Sequence, residues 1–344
     1  MRAALLETHG GPFRLAEIAR PQPGPGEVLV RVHASGVNPL DIKIRAGAAA
    51  HARHPLPAIL GIDLAGVIES VGPDVTAFRC GDEVYGMTGG VGGIQGSLAE
   101  YASVDARLLA RKPANFGFRE AAALPLVFIT AWEGLVDRAG VRAEQKVLIQ
   151  GGAGGVGHVA VQIAKAFGAE VYATASAEKK DMVEALGATA VDYRAETVED
   201  YVSAHAGGEG FDIVYDTGGG AILDASFKAV RRFGHVVSCL GWGNHALASL
   251  SFRGGSYSGV FSLLPLLTGV GREHHGAILA EATRLIEGGK LVPALDPRSF
   301  SLGGVAAAHS AIEDRSARGK IVVDVPRYEA VPGEATDKPF ANAC

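Results

Sequence analysis

Seven consecutive residues, Gly151-Gly152-Ala153-Gly154-Gly155-Val156-Gly157, are where residue type and spacing in this chain most clearly imply chemistry. Gly152, Gly154 and Gly157 fit the spacing G-x-G-x-x-G. In a chain with 47 glycines among 344 residues that spacing alone is weak, because a plain strand-to-helix turn would also supply it. Its flanks give it weight. Lys146–Gln150 is an apolar strand candidate directly before the turn, and Val156, Val159, Ala160, Ile163, Ala164 and Phe167 then recur on one helix face. Gly168 is placed to end that helix. A dinucleotide pyrophosphate needs bare backbone N–H groups at a helix N-terminus, where side chains would block its approach. Gly152, Gly154, Gly155, Val156 and Gly157 are the expected cofactor-binding turn.

The end of the next strand candidate bears on which cofactor binds. An NAD site usually carries Asp or Glu there, on the ribose 2′-hydroxyl. This chain reads Val171-Tyr-Ala-Thr-Ala-Ser-Ala177, with no acid before Glu178. Ser176, Lys179, Lys180 and the Tyr193-Arg194 pair instead offer hydroxyls and cations, which suit a 2′-phosphate through charge-assisted hydrogen bonds. NADP(H) is expected over NAD(H). The bland alternative is that Lys179 and Lys180 merely open a solvated helix.

The elements around these residues alternate strand and helix from Lys146 to about residue 240, which implies a parallel sheet with right-handed crossovers. A helix is expected over residues 120–136 despite Pro125, and another ending at Gly234 before a strand at 235–240. The first third reads as short strands and glycine turns, a compact barrel, with residues 86–96 as a mobile loop. Residues 86–96 and 254–267 are expected to line an acceptor pocket. Formal charge is −5, from 32 basic and 37 acidic residues, so no global field favours nucleic acid or an anionic membrane. Cys80, Cys239 and Cys344 are too few and too scattered for a disulfide framework, and no CxxC occurs. The first residues lack a signal-like apolar run, so a cytoplasmic, reduced setting is expected.

Beyond the glycine turn, the landmarks run Gly36-Val-Asn-Pro-Leu-Asp41, Gly61-Ile-Asp-Leu-Ala-Gly-Val67, Gly81-Asp-Glu-Val84, Gly96-Ser-Leu-Ala-Glu-Tyr101, Ala121-Ala-Ala-Leu-Pro-Leu126 and Gly319-Lys-Ile-Val322. In this order the chain resembles the zinc-independent quinone oxidoreductases of the medium-chain dehydrogenase/reductase superfamily, over roughly residues 1 to 325. The resemblance implies an α/β fold: a GroES-like β-barrel catalytic domain plus an inserted Rossmann doubly wound parallel sheet. The GroES-like part would take residues 1–123 and 265–344, with the tail 326–344 loosely held, and the NADP-binding part residues 124–264. It implies an active site in the cleft between them and a homodimer, with residues 260–267 near its interface. It also implies that Asn38 lies near the nicotinamide and its ribose, that Asp41 anchors the same loop, and that Thr130, Gly241 and Arg315 approach the cofactor. Lys43 stands where many relatives carry a tyrosine, leaving the proton donor open between Lys43 and solvent.

Zinc-dependent relatives carry Cys where this chain has Asn38, and His-Glu where it has Ile62-Asp63, so no catalytic metal is expected. Asp63 is then expected to hydrogen-bond backbone in a glycine-rich turn. Zinc lowers the pKa of bound water from about 15.7 to about 7, roughly 12 kcal/mol of help that alcohol oxidation would need. Quinones and α,β-unsaturated carbonyls yield phenolates and enolates on reduction and need mainly alignment and hydrogen-bond donors. An NADPH-dependent reductase of such acceptors is expected. The alternatives are an enoyl-thioester reductase, an alcohol dehydrogenase, or a non-catalytic NADPH-binding protein.

Overall fold

A computed structural model describes residues 1–326. The chain divides into two units. The first contains residues 1–126, 263–287 and, of the described chain, 294–326; the second contains residues 127–262 and 288–293. The expectation of a loosely held tail falls on residues outside the described ones, Pro326 excepted.

The first unit opens with strands β1 (Arg2–Leu6), β2 (Phe13–Glu17), β3 (Glu27–Val37), β4 (Ala58–Ile59), β5 (Asp63–Val71), β6 (Glu83–Met87), β7 (Tyr101–Asp105) and β8 (Leu109–Arg111). The second unit holds β9 (Lys146–Gln150), β10 (Glu170–Ala175), β11 (Thr189–Asp192), β12 (Phe211–Asp216), β13 (Val230–Ser238) and β14 (Ser256–Gly259). Strands β15 (Phe300–Ser301) and β16 (Ile321–Asp324) return to the first.

The backbone of the first unit is the seven-stranded sheet β15-β16-β3-β5-β6-β8, with β7 also on β3, beside a three-stranded sheet β2-β1-β4. Register shifts at Leu29/Val30 and Val32/Ala34 bend β3 against β5, as bulges do where a sheet curls towards closure. Val28, Val30, Val32, Leu64, Ile68, Val84, Ala102, Val104 and Leu109 fill the interior. Residues 86–96 are closely packed: the Gly90 amide bonds the Ile94 carbonyl at 3.0 Å, and a Cβ at Gly96 would collide with the Leu60 carbonyl. Asn38 precedes helix α1 (Pro39–Arg45), where Pro39 fits because its missing N–H would be unpaired in the first turn anyway.

Every strand pair in the second unit is parallel, and the order is β11-β10-β9-β12-β13-β14. That is the doubly wound order in which the chain reverses direction beside β9, leaving a crevice at the carboxyl ends of its strands. Two helix expectations are corrected. Pro125 divides residues 118–138 into α2 (Phe118–Ala122), α3 (Pro125–Trp132) and a π-helical turn (Glu133–Arg138), because proline offers no N–H to the preceding turn. The helix expected to end at Gly234 is α7 (Ala221–Ala229), following α4 (Gly155–Ala166), α5 (Lys180–Ala185) and α6 (Val198–Ala206). It stops at Ala229 because Val230 already pairs with Phe211 in the sheet, which puts Gly234 inside β13.

Candidate active site

In the second unit, the glycine turn runs from β9 into α4. Gly151 has φ +79, a left-handed conformation that its lack of a side chain makes cheap. A Cβ on Gly152 would lie 2.5 Å from the Ala173 Cβ on β10, and one on Gly157 would strike the Gly151 carbonyl. Gly152 and Gly157 therefore serve close packing of strand, turn and helix. Gly154 caps α4 with no side chain, so the amides at Gly155, Val156 and Gly157 open the helix unscreened. The Thr174 hydroxyl accepts from the Gly151 amide at 2.8 Å and donates to Gln150 at 2.9 Å, pinning the turn to β10. This bare, positively polarised helix start fits a pyrophosphate.

Just past β10 stands the corner that would meet a 2′-substituent. Ser176 is half-buried, whereas Lys179, Lys180, Tyr193 and Arg194 are exposed. Glu178 lies among them. The nearby Ser176 hydroxyl and Arg194, in contact at 3.5 Å, hold its carboxylate below the usual range. Lys180 contacts Glu184 at 3.6 Å. The corner therefore carries its own anion, which a reading of the sequence up to Glu178 left aside.

The loops after β12 and β13 share one buried hub, Asp216. Its carboxylate accepts from the Gly218 and Gly219 amides at 3.0 and 2.9 Å and from Ser238 Oγ at 2.6 Å. Ser238 Oγ in turn accepts from the Leu240 amide at 3.0 Å. Gly241 follows, and the Tyr257 hydroxyl occupies the space where a Cβ would stand. Thr130 is buried; its hydroxyl meets Ser262 Oγ at 3.2 Å and its carbonyl accepts from Tyr215 at 2.6 Å. Burial pushes the Cys239 thiol up to about 12, so it is no nucleophile near neutrality.

The first unit contains a sealed polar cluster. Asn38 and Asp63 are 0% exposed, Asp41 1% and Lys320 6%. Asn38 Nδ2 donates to Asp63 Oδ2 at 2.9 Å, and the Leu126 amide donates to Asp63 Oδ1 at 2.9 Å. Lys320 Nζ donates to the Asn38 side-chain carbonyl and, at 3.2 Å, to the Val37 carbonyl. The Asn38 amide donates to Asp41 Oδ2 at 2.8 Å. Burial raises Asp63 to about 6, against the pull of Lys320, and raises Asp41 to about 7. Burial also lowers Lys320, against the two carboxylates. Sequence reasoning did not draw Lys320 into the site, although it stands in the Gly319–Val322 landmark. Asp63 does bond backbone as expected, but that of the distant Leu126. Lys43 is exposed on α1, and Arg315 is exposed with φ +60 after the helix Val305–Glu313. Val260, Leu263 and Leu266 are buried within the chain, so they do not form the apolar surface expected of an interface, while Leu264 is 54% exposed.

Family descriptions match both parts of the chain: an alcohol dehydrogenase GroES-like domain over residues 24–114 and a zinc-binding dehydrogenase over residues 186–323. The NADPH-dependent alkenal/one oxidoreductase of Arabidopsis thaliana, a chloroplast protein, is 37% identical over 94% of this chain and 79% of its own length. The chain belongs to the medium-chain dehydrogenase/reductase superfamily. Among solved members of the superfamily, an alcohol dehydrogenase superfamily protein from Novosphingobium aromaticivorans is 59% identical, with a TM-score of 0.93 over 95% of this chain and 100% of that one. A mycobacterial quinone oxidoreductase is 28% identical, with a TM-score of 0.83 over 94% and 99%.

The superfamily includes zinc enzymes, but the residues at the zinc positions here do not fit the ion. Ile62 is an apolar, fully buried side chain, and the Asn38 oxygen already faces the Lys320 ammonium. Among the described residues no group of three or more His, Cys, Asp or Glu is arranged to hold a metal, and no helix is long and apolar enough to cross a membrane.

Proposed function

We propose that this protein is an NADPH-dependent reductase of α,β-unsaturated carbonyls and quinones that works without zinc. The observation that carries this reading is the Asn38–Asp63–Lys320 cluster beside the buried Ile62: Asn38 and Ile62 stand where the zinc pattern has Cys and His, and the Asn38 oxygen is already taken by the Lys320 ammonium. A chain built this way lacks the Lewis acid that alcohol oxidation needs, whereas conjugated acceptors need a hydride and a placed hydrogen-bond donor. The bound nicotinamide supplies the hydride. The second unit's part is to seat the pyrophosphate on the Gly154–Gly157 amides, to grip the 2′-phosphate with Ser176, Lys179, Lys180, Tyr193 and Arg194, and to approach the nicotinamide end with Thr130 and Gly241; Asn38 and Arg315 are the cofactor contacts proposed for the first unit. Asp41 fixes the Asn38 turn, and solvent or Lys43 returns the proton. The 37% identity to an alkenal/one oxidoreductase supports this substrate class.

A panel following reduced cofactor at 340 nm with alkenals, enones, quinones, enoyl thioesters and simple aldehydes tests the reading. Turnover of enones or quinones with NADPH is expected. Turnover confined to enoyl thioesters, or activity that chelators abolish and zinc restores, overturns it, and NADPH binding without any turnover marks a non-catalytic protein. We also propose a cytoplasmic homodimer, following the superfamily; a monomer mass by light scattering at micromolar concentration refutes the dimer.

A further inference from the structure

Lys320 is the one lysine of this cluster, and it bonds two other chain segments, around residues 294–296 and 37–38. Its backbone amide donates to the Ala294 carbonyl at 2.7 Å, and its carbonyl accepts from the Asp296 amide at 3.0 Å, just where the chain re-enters the first unit. Its ammonium holds Val37 and Asn38 at the end of β3. Asn38 passes the connection to Asp63, and Asp63 to the Leu126 amide, in the last residue before the chain leaves that unit. A single buried path therefore joins the exit of the chain at Leu126 to its return at Ala294.

We propose that Lys320 is a positioning residue for the reaction, acting through Asn38: it fixes the orientation of the Asn38 amide and, through Asp63, the backbone at Leu126. An amide can be placed either way round, and its two ends differ only in what they bond. Here the carbonyl end is taken by a cation and the NH2 end by a carboxylate, so only one orientation satisfies both. The one remaining Asn38 N–H makes the residue a donor. That N–H suits an oxygen acceptor, such as a ribose hydroxyl or the developing oxyanion of an enone. Without the ammonium, the two buried carboxylates of the cluster have no cation to offset them, an arrangement that protonation relieves. The charged groups bearing on the site are Asp41 from α1, Asp63 from β5 and Lys320 before β16. Protonated Asp63 is a poorer acceptor, and both Asn38 and Leu126 lose their hold.

The test compares wild type with Lys320→Arg, Lys320→Met and Lys320→Gln in two measurements. One is the pH profile of kcat and KM from pH 5.5 to 9 with the best acceptor of the panel. The other is amide hydrogen exchange over residues 122–128. In Lys320→Met, kcat should fall about tenfold or more with a smaller change in the KM for NADPH, and the acid limb should move up by about one pH unit. Exchange at Leu126 should rise about tenfold. Lys320→Arg should restore the limb and the protection, and Lys320→Gln, which keeps a donor but no charge, should restore protection in part without moving the limb back. If Lys320→Met does not fold, the Arg and Gln pair still separates charge from hydrogen bonding. A wild-type limb and wild-type exchange at Leu126 in the uncharged variants would overturn the proposal, whatever their kcat. The kinetic arm rests on the reductase reading. The exchange arm needs no acceptor, so a wild type without turnover refutes that reading and leaves exchange to decide the role of Lys320.

Discussion

On the proposed NADPH reading, Glu178 is the residue that opposes a 2′-phosphate. It pairs with Arg194 at 3.5 Å, one of the groups proposed to hold that phosphate, and so would compete with it. Glu178→Gln should tighten NADPH about three- to tenfold by removing this exposed competitor and leave NADH within about twofold. Fluorescence titration of both cofactors checks it. If NADH weakens instead, Glu178 serves as the ribose acceptor and the assignment to NADPH is wrong. The cations and hydroxyls of this corner are legible in the sequence because they lie within a few residues of the ends of two strands. The Asn38 cluster is not legible in that way. Lys320 reaches Asn38 across 282 positions of chain, and no local pattern announces a contact of that span. Asn38 and Asp63 were visible as departures from the zinc pattern, but the Lys320 ammonium on the Asn38 oxygen could not be read from either residue.

At the level of elements, the glycine turn is a packing device as much as a binding one. Gly157→Ala would drive a Cβ into the Gly151 carbonyl, a backbone atom that cannot swing aside. We expect it to cost about 1–3 kcal/mol of stability, as overpacking does, and to weaken NADPH and NADH alike. Urea denaturation and the same titrations check both parts; unequal losses for the two cofactors would mean that the turn reads the 2′-position after all. The alternation of strands and helices from β9 to β11 was plain in the sequence because α4 shows one apolar face and each strand is a short apolar run, whereas α6 between β11 and β12 was not read. Element ends were harder. Pro125 splits a stretch whose apolar content reads as one helix, and Val230 leaves its helix four residues early to pair with Phe211. Pairing with a distant strand decided that boundary, against a glycine at 234 that looks locally like a stop.

Across the whole molecule, stability should record the buried carboxylates. Asp41 at about 7 and Asp63 at about 6 both stand above the usual carboxylate range, chiefly through burial. In the window between that range and about pH 7 the folded chain therefore binds more protons than the unfolded chain, and stability falls as pH rises. The cost is absent below pH 4 and complete above pH 7. Asp82, Asp105 and Asp296 are held low by arginines and act with the opposite sign, losing their contribution as pH falls below the carboxylate range. Asp41→Asn can still accept the Asn38 amide but cannot ionise. Relative to wild type it should gain at pH 8 over pH 5 by about 2.7 kcal/mol, two pH units between 5 and about 7 at about 1.4 kcal/mol each. Urea melts at both pH values measure this. Equal differences at pH 5 and pH 8 would mean that Asp41 does not titrate in that window.

The ion pair of Glu178 with Arg194 has a consequence for how the cofactor arrives. On the proposed NADPH reading, seating a 2′-phosphate here would exchange one anion for another, because the Glu178 carboxylate would leave the Arg194 guanidinium as the phosphate came to it. Fewer small ions are released to the solvent than in a corner of unpaired cations, so NADPH affinity should depend only shallowly on salt despite the charge of the phosphate.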